Sequence, residues 1–148
     1  MEQYIGSKKV EARPMTRGEY NEYRGLPVPE NRSAEGYLVR YDRGYESWSP
    51  KEVFEASYRR IDGMGFGLAL EAAKKGMRIA RKGWNGKGMY VFLAHGMDFH
   101  TDADLSELDD QDVEVLDCLV MRTADGSICP GWLASQTDML ADDWMILE

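Results

Sequence analysis

Ala80-Arg81-Lys82-Gly83-Trp84-Asn85-Gly86-Lys87-Gly88-Met89-Tyr90 joins two apolar runs through a short, glycine-rich, basic connection. Residues 77–81 before it and 89–94 after it read as strands, so the stretch is the turn of a hairpin in an antiparallel sheet. Its glycines permit backbone conformations that a Cβ forbids and leave N–H groups able to face a ligand. Trp84 adds a flat aromatic face, and Arg81, Lys82 and Lys87 add positive charge. Taken alone, the stretch reads first as a packed hairpin with a core tryptophan, and second as a site for something both aromatic and anionic.

The chain around this hairpin is 148 residues long, enough for one ordinary domain or two small ones. Apolar residues make up 43% and charged residues 30%, a balance that supports a folded core rather than disorder. No apolar run approaches the ~20 residues of a membrane span, and Met1-Glu2-Gln3-Tyr4 does not open like a signal peptide. A cytoplasmic location is expected. Cys118 and Cys129 fall in different predicted strands without a CxxC spacing, which favours free, buried thiols and leaves a disulfide open.

The net charge is −8, which disfavours a nucleic-acid backbone as partner. Charge is also segregated along the chain. Lys74, Lys75, Arg78, Arg81, Lys82 and Lys87 form a basic strip without acids, whereas residues 98–117 carry nine acids and no lysine or arginine. A compact anion is compatible with that pattern; a polyanion is not.

Two units are expected, residues 1–62 and 63–148. In the first, residues 4–12 alternate as a strand that Pro14 ends, and Thr16-Arg17-Gly18-Glu19 is a capping box opening a short helix up to Gly25. Residues 36–41 read as a strand with a turn at Asp42-Arg43-Gly44. Ser47-Trp48-Ser49-Pro50-Lys51-Glu52 reads as a helix start, with Ser49 as N-cap and Pro50 in the first turn; Val53, Phe54 and Tyr58 form its apolar face. The many tyrosines of this unit are expected in its core and rim.

In the second unit, Phe66, Leu70 and Ala73 recur at helical spacing and Gly76 stops the helix. Strands follow at 77–81, 89–94 and 116–122, with a hairpin turn at Ala124-Asp125-Gly126-Ser127. Pro130-Gly131 then delivers Trp132, Ser135-Gln136-Thr137-Asp138 caps a one-turn helix, and 143–147 is a last strand. The fold class is α+β: a small antiparallel sheet with one packed helix and a short second helix, preceded by a small α+β module.

Several chemistries are weighed against these residues. His95, Asp98, His100, Asp102 and Asp104 have metal-ligand types but no ligand spacing, so a solvated acidic loop is the better reading. Cys118 has no base placed beside it, no G-x-S-x-G frame is present, and Gly63-Met64-Gly65-Phe66-Gly67-Leu68 lacks the strand and third glycine of a dinucleotide fingerprint. The stronger constellation joins Trp84-Asn85 to Trp132, Ser135, Gln136, Thr137 and Asp138. Its two indoles would sandwich a base, and the capped turn would hold ribose or phosphate.

Phe66-Gly67-Leu68-Ala69-Leu70, the 80–89 stretch, Thr123-Ala124-Asp125-Gly126, Pro130-Gly131-Trp132, Ser135-Gln136-Thr137-Asp138 and Ala141-Asp142-Asp143-Trp144 together resemble the second Thoeris anti-defence family of small phage proteins. Residues 1–60, with Pro14-Met15-Thr16-Arg17 and Ser47-Trp48-Ser49-Pro50, resemble a separate module common in phage genomes. The resemblance over about residues 64–148 implies a non-enzymatic sponge, needing no cofactor, in the cytoplasm of an infected bacterium. Such proteins sequester cyclic ADP-ribose-type signals, some also cyclic dinucleotides, as homotetramers with pockets between subunits. By motif it implies Phe66, Arg81, Trp84, Asn85, Trp132, Ser135, Thr137 and Asp138 as ligand-binding, with Arg81 toward phosphate. The N-terminal module and an acidic insert at 95–114 are its departures. A metal-dependent nucleotide hydrolase and a phage protein-interaction module are the alternatives.

Overall fold

The computed structural model describes residues 1–148 apart from Asn85, Lys87 and Phe99. It divides into two compact units, Met1–Arg59 and Arg60–Glu148. Both are α+β with antiparallel sheets.

The first unit is a three-stranded sheet in the order β1 (Glu11–Pro14), β2 (Gly36–Arg40), β3 (Glu46–Pro50). The expected strand over 4–12 begins late and runs through Pro14, which pairs with Tyr37. Its length is set by its partner, since β2 offers five residues. Proline is tolerated because β1 is an edge strand, where a missing N–H breaks no inner ladder. Helix α1 (Arg17–Tyr23) opens on the expected box: Glu19 N–H donates to Thr16 Oγ1 at 3.3 Å, and Thr16 N–H donates to the Glu19 carboxylate at 2.7 Å.

The expected cap at Ser49 is corrected. Residues 46–50 are strand β3, with Ser47 opposite Val39 and Ser49 opposite Tyr37, and α2 (Lys51–Ser57) starts after Pro50 without a side-chain cap. The neighbouring strand supplies several backbone hydrogen bonds where a cap supplies one, so the ladder wins. Alternation along β2 then fills both faces of the sheet. Leu38 packs with Met15, Tyr20 and Trp48, whose indole donates to the Met15 carbonyl at 2.8 Å. On the other face Tyr37 stacks on Phe54 at 4.3 Å, and Phe54 on Tyr58 at 4.8 Å. Val53 is exposed rather than packed, and Tyr4, Tyr23 and Tyr45 lie on the surface.

The second unit is a five-stranded sheet in the order β7-β6-β5-β4-β8, all antiparallel. The strands are β4 (Arg78–Arg81), β5 (Tyr90–Ala94), β6 (Cys118–Arg122), β7 (Ile128–Pro130) and β8 (Trp144–Leu147). The near-continuous apolar run of β5 takes the central position, as its composition implies. Helix α3 (Phe66–Lys74) lies across the sheet with Ala69, Ala72 and Ala73 inward, small side chains that let it approach Ile79, Val91 and the fully buried Trp144. Short helix α4 (Gln136–Met139) precedes β8. Among the described residues, no helix is long and apolar enough to cross a membrane.

Two local details complete the frame. Gly88 has φ +72°, and a Cβ there would stand 2.8 Å from Arg122 Nη1, which donates to the Gly88 carbonyl. In the turn after β6, Asp125 accepts from Thr123 Oγ1 and from Ser127 N–H, and these bonds hold its pKa down to about 2.

Gly36 in β2 leaves no room for a side chain. A Cβ there would collide with the Trp48 ring atoms Cζ2 and Cε2 and with the Ser49 carbonyl oxygen. Gly36→Ala is expected to cost about 3 kcal/mol through overpacking, seen as a lowered urea midpoint with loss of the first unit's cooperative unfolding.

Candidate functional site

The site grows from Asp138, third residue of the one-turn helix α4. The Ser-x-x-Asp spacing forms a reciprocal cap: Asp138 N–H donates to Ser135 Oγ at 3.1 Å, while Ser135 N–H and Oγ donate to Asp138 Oδ2 at 3.2 and 2.8 Å. The other oxygen, Oδ1, accepts from Arg81 Nη1 at 2.8 Å and from the Trp84 indole N–H at 3.2 Å. A carboxylate has about four acceptor sites, and this one is filled by four donors.

Arg81, at the end of β4, carries the connection onward. Its Nε donates to Asp143 Oδ1 at 2.8 Å and its Nη2 to Oδ2 at 3.5 Å. The same Oδ2 accepts the Gly83 N–H at 2.7 Å. The Arg81 and Asp138 side chains are each only 14% exposed. Both carboxyls are held below the usual range. For Asp138, burial pushes the value up and is outweighed by the bonds from Arg81, Ser135 and Trp84; for Asp143 the Arg81 bond leads. Arg81 is raised by Asp143 first and Asp138 second.

Beneath this polar layer lies an aromatic one. Trp144 is fully buried and donates its indole N–H to the Asp138 carbonyl at 2.8 Å. Trp84 and Trp132 stand on it edge to face at 5.4 and 6.2 Å, and Phe66 lies 5.3 Å from it. Trp132 is delivered by backbone, since Gly131 and Trp132 N–H both donate to the Leu119 carbonyl at 3.0 and 2.9 Å.

The structure brings Phe66, Arg81, Trp84, Trp132, Ser135 and Asp138 together, with Thr137 exposed on the same turn. Asn85 lies outside the described residues. Two expectations are corrected. Trp84 and Trp132 meet at 6.0 Å and 72°, so they contact each other and leave no slot for a base between them. Arg81 faces two carboxylates rather than open solvent, and the Gly83 N–H is likewise taken.

Sequence reading missed Asp143 and Trp144 as members of this cluster. Their partners are 62 and 6 residues away, and a lone Asp-Trp pair carries no spacing signal. The acidic segment gives no metal centre: among the described residues no three His, Cys, Asp or Glu side chains gather to hold an ion, and His95 Nδ1 pairs with Asp117 at 2.8 Å. Both cysteines are free; Cys118 is half-buried with its sulfur 3.8 Å from that of Met97. Cys129 is exposed rather than buried, because β7 is the edge of the sheet.

The cluster is an aromatic corner capped by a short polar turn, on an α3-backed antiparallel sheet. Residues 64–147 match the model of the Thoeris anti-defense 2-like domain, which spans more than half of the chain. The chain is also 40% identical over 86 residues to the protein named Thoeris anti-defense 2 of Bacillus phage SP01, covering 57% of this chain and 96% of that protein. The chain belongs to the Thoeris anti-defense 2-like family. The acidic segment falls between the bounds of the family match.

The polar layer is pH-sensitive with a definite sign. Because the Asp138 and Asp143 values are lowered in the fold, their contribution is full above the unfolded carboxylate value near 4 and is lost as pH falls through the lower folded values. Asp138→Asn is expected to cost about 2 kcal/mol at neutral pH. The difference in melting temperature from the parent should close as the scan is repeated below about pH 4.

Proposed function

We propose that this protein is a phage anti-defence sponge that binds a cyclic ADP-ribose-type nucleotide, or a cyclic dinucleotide, and sequesters it without degrading it in the cytoplasm of the infected host. Family membership across residues 64–147 supports the anti-defence role. The observation that carries the binding reading is the packed aromatic corner of Phe66, Trp84 and Trp132 beside the Ser135–Thr137 turn. Its rings are locked against Trp144, so little ordering cost remains for a ligand that stacks on them.

The charge balance orients such a ligand. One guanidinium between two carboxylates, Arg81 with Asp138 and Asp143, leaves the polar layer with a formal charge of −1. An uncharged heterocycle suits the aromatic corner better than a phosphate. Phosphate contacts then come from Thr137, Asn85 and the exposed basic residues nearby, or from another subunit.

A single copy offers one wall. Leu133 and Leu140, flanking the capped turn, are 88% and 73% exposed, and Met139 beside them is 48% exposed. Apolar side chains in such a row favour burial against another chain. A homo-oligomer, a tetramer by family resemblance, would place a second wall opposite Trp84 and Trp132.

The deciding experiment is binding followed by release. A cyclic ADP-ribose-type nucleotide at about a hundred times its dissociation constant should stabilise the protein by about 2.7 kcal/mol in a thermal-shift assay. Heat denaturation should then return the cyclic compound intact. Recovery of an opened product identifies an enzyme instead. Absence of any shift across cyclic nucleotides leaves an interaction module as the reading.

A further inference from the structure

We propose that Arg81 and Asp143 are positioning residues, which hold the Trp84 indole and its turn in place for the ligand and do not themselves contact it. The inference rests on the sponge reading for the ligand, and on geometry alone for the positioning. Arg81 is the shared member of two ion pairs, at 2.8 Å to Asp138 Oδ1 and 2.8 Å to Asp143 Oδ1. Asp138 Oδ1 is also the acceptor of the Trp84 indole N–H, so the guanidinium and the indole are fixed on the same atom.

Asp143 grips the turn from its other side. Its Oδ2 accepts the Gly83 N–H at 2.7 Å, one residue before Trp84, and its backbone carbonyl accepts the Lys82 N–H at 3.2 Å. A Cβ on Gly83 would stand 2.8 Å from that Oδ2, so the turn fits closely over the carboxylate. The Trp84 N–H itself donates back to the Arg81 carbonyl at 3.3 Å. The chain from 81 to 84 is thus closed on β8 and α4 at successive points. Breaking the fork leaves the indole on its ring contacts with Trp132 and Trp144 and on an Asp138 carboxylate that has lost its guanidinium partner.

The alternative is that Arg81 binds a ligand phosphate, and the two roles differ in sign for one variant. Asp143→Asn removes a carboxylate from Arg81. If Arg81 met phosphate, freeing it would hold or raise affinity. If it positions Trp84, loosening the turn lowers affinity.

The test uses the full-length chain, labelled with 15N, with cyclic ADP-ribose as probe. Trp84→Phe assigns the Trp84 indole resonance by its disappearance. In Asp143→Asn that resonance is expected to move, and affinity measured well below the melting midpoint to fall about tenfold, the loss of one charge-assisted hydrogen bond. Arg81→Lys keeps the charge but not the fork and should move the Trp84 resonance too; if Asp143→Asn does not fold, that resonance in Arg81→Lys, rather than the affinity, is the deciding readout. Unchanged or tighter binding in Asp143→Asn, or an unmoved Trp84 resonance in either variant, overturns the proposal. If the parent itself does not bind the probe, the sponge reading has failed for that ligand. The resonance then still decides whether Arg81 and Asp143 hold Trp84.

Discussion

The carboxylate of Asp138 is the point on which the second unit converges. It caps its own helix through Ser135, accepts Arg81 from β4 and Trp84 from the β4–β5 turn, while its backbone carbonyl accepts the indole of the buried Trp144. One residue therefore ties α4, β4, β8 and the glycine-rich turn together. The apolar core of α3 and the sheet would form from hydrophobic burial alone. The orientation of the turn over it is set by directed bonds to this residue and its neighbour Asp143.

That division explains why the aromatic cluster is tight rather than open. Trp144 sits fully buried at the centre, and the two outer indoles and Phe66 lean on it at 5.3–6.2 Å. Tilted and edge-to-face packing satisfies the ring quadrupoles and fills space, so the cluster closes on itself. On the sponge reading proposed above, a second aromatic wall would come from outside this cluster, and Leu133, Met139 and Leu140 are the exposed apolar side chains beside the capped turn.

What could be read from the sequence was local. Both capping boxes, Thr16 with Glu19 and Ser135 with Asp138, span three residues and formed as read, because side chain and backbone meet within one turn. The apolar run of β5 announced a central strand, and Asp125-Gly126 announced its hairpin. Ser49 misled because the competing partner, Tyr37 in β2, is not local. Cys129 misled because burial of a strand residue depends on whether its strand lies at an edge, which sequence order does not state. Arg81 looked like a free cation in a basic strip, but its acids lie 57 and 62 residues away. The motif residues that are described, apart from the exposed Thr137, meet in one cluster; which of them face each other was legible only in three dimensions.

The energetics of the Arg81 pairs favour a directional role over a stabilising one. Arg81 and Asp138 at low exposure, and the partly exposed Asp143, lose hydration, and such groups return little net stability relative to apolar side chains of similar volume. An apolar replacement would fill the space without fixing an angle. A guanidinium fork, by contrast, fixes two carboxylates in defined directions. One of those carboxylates holds an indole and the other a backbone N–H on either side of the same residue step. A stacking face is useful to a ligand only if its plane is held before the ligand arrives, since each ring left free to turn subtracts ordering entropy from the affinity. The layer's cost in desolvation and its directional geometry are thus two consequences of one arrangement, and the geometry is what an apolar core could not supply.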